Sequence, residues 1–484
     1  MEGSAGHADK AQAFDERGNY DSVVRHFLMQ ICASLNLRES SERVSFREFG
    51  ELVSAFPVTD FAAAAIGAAG FAVSELIQAL FGDSPAVSVD RRLASAWFGL
   101  SIHPIGWSMP APWDPIAGDY EARDGWIRLH TNASRHREAA LGVLRCTAER
   151  VAVTAAVRHW YANDLESAIV LQGGCAATMR SLAEWSVHPQ GVAVAGEPLA
   201  RVERAGLSSF AKWDARRDRP LHGLRVLDCT RVLAGPVATR FLAGFGAEIL
   251  RVDPPDWDEP AIAPEVTLGK RCARLDIKTP EGRERFATLL AGADVFVHGL
   301  RPDALVTFGL GADAREFIRP GLIDVSLDAY GWTGPWAGRR GFDSLVQMSA
   351  GIAEAGMRHF GAARPKPLPV QAIDHATGYL LATAVLRGLL LRLRDGVGFR
   401  VQASLARTAG LLASQRPEPT SVGFAPLSGE DWANTLEETG WGPAGRLKPP
   451  LAIKGAPMRW RLPASPLGSA EPQWAKSRLS AGDA

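Results

Sequence analysis

Short apolar runs alternate with amphipathic stretches in the second half of the chain, after residue 221. Five runs have the length and composition of strands, namely LRVLDCT (224–230), AEILRVD (247–253), RCARLDI (271–277), DVFVHG (294–299) and LIDVSLDAY (322–330). Stretches between them, such as PEGRERFATLLAGA, have helical spacing. The alternation predicts an α/β fold with a doubly wound, mostly parallel, Rossmann-like sheet, whose ligand-binding loops follow the carboxyl ends of the strands.

The first half has a different pattern of helical segments and an isolated strand, which we assign to a smaller α+β domain on a resemblance described below. FAAAAIGAAGFAVSELIQAL (61–80) is almost long enough to cross a bilayer, but its Ala and Gly content and its Glu75 and Gln78 favour a buried helix. DGWIRLH (124–130) predicts a strand, and the charged stretch 203–220 predicts a linker. We divide the chain into a helical and mobile N-terminal segment, a segment containing the smaller domain, the sheet domain and a closing segment: 1–55, 56–205, 219–413 and 414–484.

Composition and charge exclude several classes of protein. Lys plus Arg equals Asp plus Glu at 53 each, so no overall field favours nucleic acid or a lipid surface. The five cysteines are scattered singly, which predicts neither a zinc site nor a disulfide framework. The first residues lack the basic-then-apolar layout of a signal peptide. We therefore expect a soluble cytoplasmic protein with no nucleic acid, membrane or metal partner.

Two segments resemble each other at a constant spacing. PVTDFAAAAIGAAGFAVSELIQALFGDSPAVSVD aligns without gaps with VQAIDHATGYLLATAVLRGLLLRLRDGVGFRVQAS, so that Asp60 falls on Asp374, 314 residues later (374 − 60). Chance similarity of two Ala-rich helices is one explanation. The shared aspartate, small-residue helix and Gly-containing turn favour an internal repeat. Ala64 stands where the second segment has Gly378, which indicates a degenerate first copy.

Asp374 is the candidate catalytic residue. It lies at the start of a predicted helix, where the helix dipole and free backbone N–H groups favour a carboxylate, and an ordinary N-cap would look the same. Gly378 would let a bulky ligand approach the first helical turn. Basic residues at several strand ends, Lys270, Arg271, Lys278, Arg301, Arg339 and Arg340, are either solvated surface charges or a grip for a polyanionic nucleotide.

Several motifs of other enzyme classes do not occur. The turn RVLAGPVATR after the first strand has neither the GxGxxG spacing of a dinucleotide site nor the GxxxxGK[ST] of a phosphate loop. The chain also has no GxSxG elbow and no HExxH pair. These absences disfavour nicotinamide, ATP, serine-hydrolase and metal chemistry.

Consecutive motifs resemble the class III CoA-transferases, the carnitine dehydratase and bile-acid-inducible protein family. The resemblance begins with PLHGLRVLDCTRVLAGPVATRFLAGFGAEILRVDPP, continues through LGKRCARLDIKTPEGRERF and RRGFD, and includes AIDHATGYLLATAVL, covering roughly residues 219–410. The stretch DYEARDGWIRLHTNASRHREAALGVL resembles the family's small domain, here placed before the sheet domain. The order indicates a fused form with a degenerate N-terminal copy.

The resemblance implies an acyl-CoA:carboxylate CoA-transferase. The aspartate that matches Asp374 would attack an acyl-CoA thioester and then carry CoA as an aspartyl thioester until an acceptor acid takes it. Coenzyme A thioester is then a substrate, with no permanently bound cofactor, and the partners are acyl-CoA and a carboxylic acid. Family members are interlocked homodimers, so a homodimer is expected.

Positions that contact CoA in the family carry over one by one. They are Leu233 and Ala234 after the first strand, Leu275 and Lys278 after the third, Gly299, Leu300 and Arg301 after the fourth, and Arg340 and Phe342 in the RRGFD turn. Three positions depart from the pattern: Leu233 replaces a glutamine, Thr307 an arginine, and Pro254 a basic residue found in some members.

Two alternatives remain beside transfer. The first is an α-methylacyl-CoA racemase or similar isomerase, which the resemblance associates with a histidine in a GHD turn, because moving an α-proton needs two groups of near-neutral pKa. Phe342 occupies that histidine's position and favours transfer. The second is a non-catalytic acyl-CoA-binding protein, whose CoA binding would not depend on Asp374.

Overall fold

The computed structural model describes residues 22–37, 43–208, 213–417 and 423–475. Residues 1–20, the part of the N-terminal segment that we expect to be mobile, lie outside these ranges. The first half of the chain contains, in order, α1 (22–34), β1 (Val44–Arg47), α2 (Val58–Phe81), β2 (Val87–Asp90), α3 (Arg91–Trp97), β3 (Ile102–Pro104), β4 (Gly118–Glu121), β5 (Trp126–Leu129), α4 (Ser134–Leu144), α5 (Arg150–Val157), α6 (Ala162–Leu171), β6 (Ala176–Thr178), α7 (Leu182–Val187), α8 (Pro189–Ala195) and β7 (Arg201–Leu207).

The second half carries the predicted alternation of strands and helices. Its elements are β8 (Arg225–Cys229), α9 (Ala234–Gly244), β9 (Glu248–Asp253), α10 (Ala263–Val266), β10 (Lys270–Arg274), α11 (Pro280–Ala291), β11 (Val295–His298), α12 (Pro302–Thr307), α13 (Ala312–Ile318), β12 (Ile323–Asp328), α14 (Asp343–Ser349), α15 (Ile352–His359), α16 (Ala372–Asp395), β13 (Val397–Ser404), α17 (Leu405–Ala413), β14 (Glu437–Thr439), β15 (Gly442–Arg446) and β16 (Leu451–Ile453).

A seven-stranded sheet organises this half. Its strand order is β10-β9-β8-β11-β12-β13-β7, and every neighbouring pair is parallel except β13 with β7. The six parallel strands have the order of a doubly wound nucleotide-binding sheet, with its switch point between β8 and β11. The predicted α/β fold is confirmed, and the loops after β8 and β11 lie at the edge where such sheets bind ligands.

The edge strand β7 corrects one expectation. Residues 203–207 were predicted to belong to a linker, but Val202, Glu203 and Arg204 pair antiparallel with β13. Most of the β7 side chains are exposed, which is why its sequence has the polarity of a linker. An edge strand needs only one hydrogen-bonding neighbour and tolerates charge on its open side.

The smaller domain is built from the antiparallel sheet β4-β5-β6 and the helices α4 to α6. These elements enclose a core of their own, formed by such residues as Ile127, Leu129, Val153 and Leu165. A further small cluster joins this domain to α14, with Cys175 and Ala177 on one side and Leu345 and Met348 on the other. The smaller domain therefore packs directly against the helix that follows the RRGFD turn.

Two 24-residue helices, α2 and α16, pack against each other in the centre of the main core. Both are long and apolar enough to cross a membrane by length and composition, and the most apolar windows are 72% and 83% buried within the protein. Their Ala and Gly content lets the helices and neighbouring strands approach closely. In α2, a Cβ on Gly70 would lie 2.5 Å from a methyl group of Leu451.

Candidate active site

Asp374 is the third residue of α16. The helix begins at Ala372 and its N-cap is Gln371, so the alternative that Asp374 is an ordinary N-cap is wrong. The apolar pair Ala372 and Ile373 continues the buried face of the helix by two positions, which moves its start upstream. Asp374 remains in the first turn, near the positive end of the helix dipole.

Asp343, the first residue of α14, is the direct partner of this turn. The backbone N–H of Asp374 donates to Asp343 Oδ2 at 2.9 Å, and the Gln347 amide donates to Asp343 Oδ1. The Asp343 side chain thereby caps the start of α16 from another helix. Both aspartates are buried, with 1% of Asp343 and 7% of Asp374 exposed. Two carboxyl groups thus share one nearly dry environment.

Burial determines the protonation of this pair. It raises the pKa of Asp343 to about 6, despite hydrogen bonds from Gln347 and from the backbone N–H groups of Asp374 and Ile373. Burial, and then the charge of Asp343, raise the pKa of Asp374 well above its usual range. The helix N-terminus was expected to keep Asp374 ionised, but desolvation and a like charge act in the opposite direction and raise its pKa.

Gly378 brings the start of α16 against the turn after β8. A Cβ at Gly378 would lie 2.4 Å from the carbonyl oxygen of Ala234 and 2.9 Å from Cβ of Val237. This glycine therefore serves helix packing, rather than only the approach of a ligand. The close contact places Leu233 and Ala234, two of the predicted CoA contacts, beside the helical turn that carries Asp374. Both residues are buried.

The other predicted CoA contacts lie in loops at the carboxyl edge of the parallel sheet. Leu275, whose N–H donates to Asp253, follows β10, and Gly299 follows β11. Lys278, Gly299 and Arg301 are exposed, whereas Leu275 and Leu300 are half-buried. Arg340 and Phe342 end the loop after β12. The structure thus brings these positions to one side of the sheet, as its topology predicts.

Some of the proposed basic residues are engaged within the protein. Lys270 is fully buried, and its Nζ lies 3.0 Å from Asp228 Oδ2 and 2.9 Å from the Pro236 carbonyl. Arg339 donates to Glu166 and stacks 3.9 Å from the Trp336 ring. The idea that Lys270 and Arg339 grip an anionic ligand is wrong in this state, because each already holds a carboxylate.

The turn after β8 contains a backbone feature that the sequence did not indicate. Val232 has a φ of +63°, a conformation that a β-branched residue rarely adopts. Its N–H donates to Glu259 Oε2 at 2.8 Å, and Glu259 also holds the buried Arg251. A residue kept in a disfavoured conformation by surrounding contacts is typical of a functional turn. Here it precedes Leu233 directly.

Phe342 contacts two histidines of the smaller domain. Its ring stacks on His130 with centroids 3.7 Å apart and an interplanar angle of 12°, and meets His136 edge-on at 5.9 Å. Burial, followed by the charges of His136 and Arg128, lowers the pKa of His130 to about 3. These histidines precede Phe342 by more than 200 residues, so no local motif could have connected them.

His375, next to Asp374, packs against an aromatic ring. Its ring stacks on Phe98 at 4.9 Å, and burial, with a smaller effect of Arg240, lowers its pKa well below the usual range. Among the residues that the structure describes, no group of three or more His, Cys, Asp and Glu side chains could hold a metal ion.

Comparison with known proteins identifies the region around this site. Residues 221–427 match the family model of CoA-transferase family III. Succinyl-CoA:glutarate CoA-transferase of Mus musculus is 34% identical over 251 residues, 49% of this chain and 54% of that protein. Succinate--glutarate CoA-transferase of Agrobacterium fabrum is 30% identical over 231 residues, 44% of this chain and 57% of that protein.

The matches extend over part of each protein. An acyl-CoA transferase of Fusarium pseudograminearum is 34% identical over 46% of this chain and 50% of its own length, so the chain spans about half the length of such curated relatives. The crystal structure of a CAIB/BAIF family protein from Brucella suis matches with 27% identity and a TM-score of 0.38, covering 47% of this chain and 65% of that one. Residues 221–427 of this chain are therefore similar to CoA-transferase family III.

Proposed function

We propose that this chain is an acyl-CoA:carboxylate CoA-transferase with Asp374 as its nucleophile. The observation that supports it best is the contact of Gly378 with the Ala234 carbonyl, where a Cβ would come within 2.4 Å. That contact holds the second turn of α16, which follows Asp374, against the loop expected to bind CoA. A thioester bound along Leu233 and Ala234 would therefore lie beside the Asp374 carboxyl group.

The proposed cycle uses the aspartate twice. The Asp374 carboxylate attacks the thioester carbonyl and expels CoA thiolate, which leaves a mixed anhydride. The thiolate attacks the aspartyl carbonyl, releases the donor acid as its carboxylate and leaves an aspartyl-CoA thioester. The acceptor carboxylate attacks that thioester and expels thiolate, which then attacks the acceptor's acyl carbonyl and restores the Asp374 carboxylate. Each step exchanges one anion for another, so no net proton is consumed.

The aspartate pair defines when this cycle can start. Asp374 must be ionised when it attacks, and burial together with the charge of Asp343 raises its pKa and so opposes ionisation. A desolvated carboxylate is a stronger nucleophile than a hydrated one, so burial gives reactivity once the proton has left. Asp343, with a pKa of about 6, is the adjacent group that can take part in that proton exchange at neutral pH.

The isomerase alternative remains as the second candidate. Its support is the pair of buried carboxyl groups, since α-proton transfer also needs groups with raised pKa values. The stacking of Phe342 on His130 argues against it, because the position expected to carry an imidazole carries an apolar ring that is fixed by a neighbouring ring.

An internal repeat also belongs to this proposal. Both central helices end at a glycine of positive φ, Gly82 and Gly396, and a strand and a second helix follow each. The second helices begin after Asp90 and Ser404, each accepting from the backbone N–H three residues later. These equivalent positions keep the spacing of Asp60 and Asp374. In the first copy, Asp60 forms a 2.6 Å ion pair with buried Arg91, which supports a silent site.

We also propose a cytoplasmic location and a homodimeric assembly. All five cysteines are free thiols, which supports a reducing cytoplasm. The homodimer is proposed from the resemblance to the family alone. Sedimentation at several protein concentrations would test it, with a monomer of 51.9 kDa throughout as the contrary result.

Mass spectrometry tests the nucleophile. The intact protein is incubated with a panel of acyl-CoAs, treated with borohydride or hydroxylamine, and digested. Modification of Asp374 is expected, with none in Asp374→Asn and with labelling retained in Asp343→Asn. Incorporation of deuterium at the α-carbon, with Asp374 unmodified across the panel, would favour the isomerase instead. CoA binding that is unaffected by Asp374→Asn, without either reaction, would favour the binding protein.

A further inference from the structure

Two histidines of the smaller domain have polar atoms that packing does not account for. His130 and His136 are 6% and 2% exposed. Within the described part of the chain, Nδ1 of His130 and both ring nitrogens of His136 have no hydrogen-bond partner. Stacking on Phe342 explains where the rings lie, but it does not use their nitrogens. Because buried polar groups are normally hydrogen-bonded, these atoms point to a ligand.

The two histidines are connected to the aspartate pair through one residue. His130 and His136 contact Phe342, which is the N-cap residue of α14, and Asp343 follows it directly. Asp343 in turn accepts the Asp374 N–H. The histidines and Asp374 thus contact two successive residues at the start of α14.

Positive charge surrounds His136. Burial lowers its pKa to about 4, and the next causes are the charges of Arg135 and Arg340. Arg135 is exposed in the first turn of α4, and no described residue hydrogen-bonds or ion-pairs with its guanidinium. The N-cap residue of this helix, Ala133, makes no side-chain capping hydrogen bond. An uncharged imidazole donor beside cationic groups is a suitable environment for an anion.

We propose that His130 and His136, with Arg135 at the rim, bind the second carboxylate of a dicarboxylic acid whose first carboxylate reacts at Asp374. The inference rests on the proposed function, because it assigns the acid substrate of that same site. It gives the smaller domain a role in substrate choice. The buried imidazoles would donate N–H groups to the carboxylate, and Arg135 would supply the compensating charge.

Binding of two acids of equal length tests the proposal without requiring turnover. Calorimetry on the full chain compares glutarate with pentanoate, which has the same five carbons and one carboxylate fewer. We expect glutarate to bind about tenfold more tightly, the effect of one charge-assisted hydrogen bond. In protein with ¹³C-labelled histidine, glutarate should raise the pKa of His136 and pentanoate should not.

Two arginine variants on the same helix show whether glutarate binding depends on Arg135 itself or only on the positive charge of this region. Arg135→Gln should remove the preference for glutarate. Arg137→Gln removes the same charge, but its guanidinium is engaged with Asp114 at 3.1 Å, and the preference should persist. Equal affinity for both acids in the unmodified protein, or equal losses in both variants, would overturn the proposal.

The same variants distinguish a carboxylate from a phosphate of CoA. If Arg135→Gln weakens the binding of CoA alone and leaves glutarate unchanged, the site holds a phosphate and the proposal is wrong. Labelling of Asp374 by acyl-CoA is scored separately. Labelled Asp374 with equal acid affinities refutes only this inference, whereas tight glutarate binding at His136 without labelling refutes only the transferase mechanism.

Discussion

The backbone N–H of Asp374 donates to the carboxylate of Asp343 at 2.9 Å, joining the first turns of two helices that are 31 residues apart in sequence. The bond fixes the start of α16 and brings two buried carboxyl groups together. Each group disfavours ionisation of the other, so their titrations are linked. The Asp343 carboxylate therefore caps α16, and its charge also raises the pKa of the proposed nucleophile.

Replacing Asp343 with asparagine should shift the pH dependence of acylation. The amide oxygen of the asparagine would still accept the Asp374 N–H, but the substitution would remove the like charge that raises the pKa of Asp374. The rate of Asp374 labelling, measured by quenched-flow mass spectrometry across the pH range, should therefore reach its plateau at a lower pH than in the unmodified protein.

A second variant checks that this shift comes from charge. Gln347→Leu removes the amide that donates to Asp343. Loss of that donor favours the neutral form of Asp343, so the plateau should move in the same direction as in Asp343→Asn, but by less. Identical profiles for Asp343→Asn and the unmodified protein would show that Asp343 does not control Asp374.

Stability should depend on the same pair. The pKa of Asp343 is raised from 3.8 to about 6, so the native state binds more protons than the unfolded state between these values. The free energy of unfolding therefore falls as the pH rises through this window, by roughly 3 kcal/mol for Asp343. Urea denaturation at pH 4 and pH 7 should show a smaller fall in Asp343→Asn. Asp328 contributes in the same direction, since its pKa is raised to about 7, mainly by burial. The difference between Asp343→Asn and the unmodified protein therefore isolates the contribution of Asp343 better than the pH dependence of the unmodified protein alone.

Gly378→Ala should damage the contact between α16 and α9. The added methyl group would lie 2.4 Å from the Ala234 carbonyl, so one helix must move. We expect a loss of about 1–3 kcal/mol in the free energy of unfolding and weaker CoA binding. Gly410→Ala is the matched control, because that helical glycine is exposed and its nearest atom would be Arg407 Nη1 at 3.7 Å.

The control should have the opposite sign. Alanine is about 0.5–1 kcal/mol better than glycine at an open helical position, so Gly410→Ala should stabilise the protein slightly and leave CoA binding unchanged. Denaturant unfolding and calorimetry with CoA measure both quantities. Unchanged stability and CoA affinity in Gly378→Ala would contradict the close packing.

The sheet could be predicted because each of its parallel strands is indicated by a short local segment of the sequence. Strands such as DVFVHG are short, apolar and bounded by turns, and their alternation with helices leaves few possible topologies. Residues 203–207 were misinterpreted because an exposed edge strand has the polarity of a loop. The spacing of apolar residues indicates which positions are buried, and few positions of β7 are buried.

The site could be predicted only in part, because its important contacts are long-range. A family motif identified Asp374, but nothing near it indicates that Asp343 accepts its N–H. Lys270 has the sequence context of an exposed strand end, yet it is buried against Asp228. His130 becomes part of the site only when the smaller domain packs on Phe342. Such contacts depend on tertiary packing, which a single sequence does not specify.

Arg91 should stabilise the protein mainly through its ion pair with Asp60, beside a longer contact with Glu51 at 3.9 Å. Asp60 is 2% exposed and Arg91 is 3% exposed, and their side chains are 2.6 Å apart. The equivalent of Arg91 in the second copy is Leu405, so Arg91→Leu introduces a side chain that the fold accepts at the related position. Removing the arginine alone leaves a buried carboxylate without its ion-pair partner. We expect Arg91→Leu to lower the free energy of unfolding by about 3–5 kcal/mol.

The double variant tests whether this pair replaces a lost active site. Asp60→Ala with Arg91→Leu removes both charges of the ion pair and should recover part of the stability lost in Arg91→Leu, because two apolar groups can substitute for a buried ion pair. The contact of Arg91 with Glu51 is lost in both variants. Acyl-CoA labelling of Asp374 should be retained in the double variant, since the first copy is proposed to be silent. Urea denaturation and peptide mapping measure the two outcomes. Labelling of Asp60 in the unmodified protein would instead show that both copies react, and that the ion pair with Arg91 opens when acyl-CoA binds.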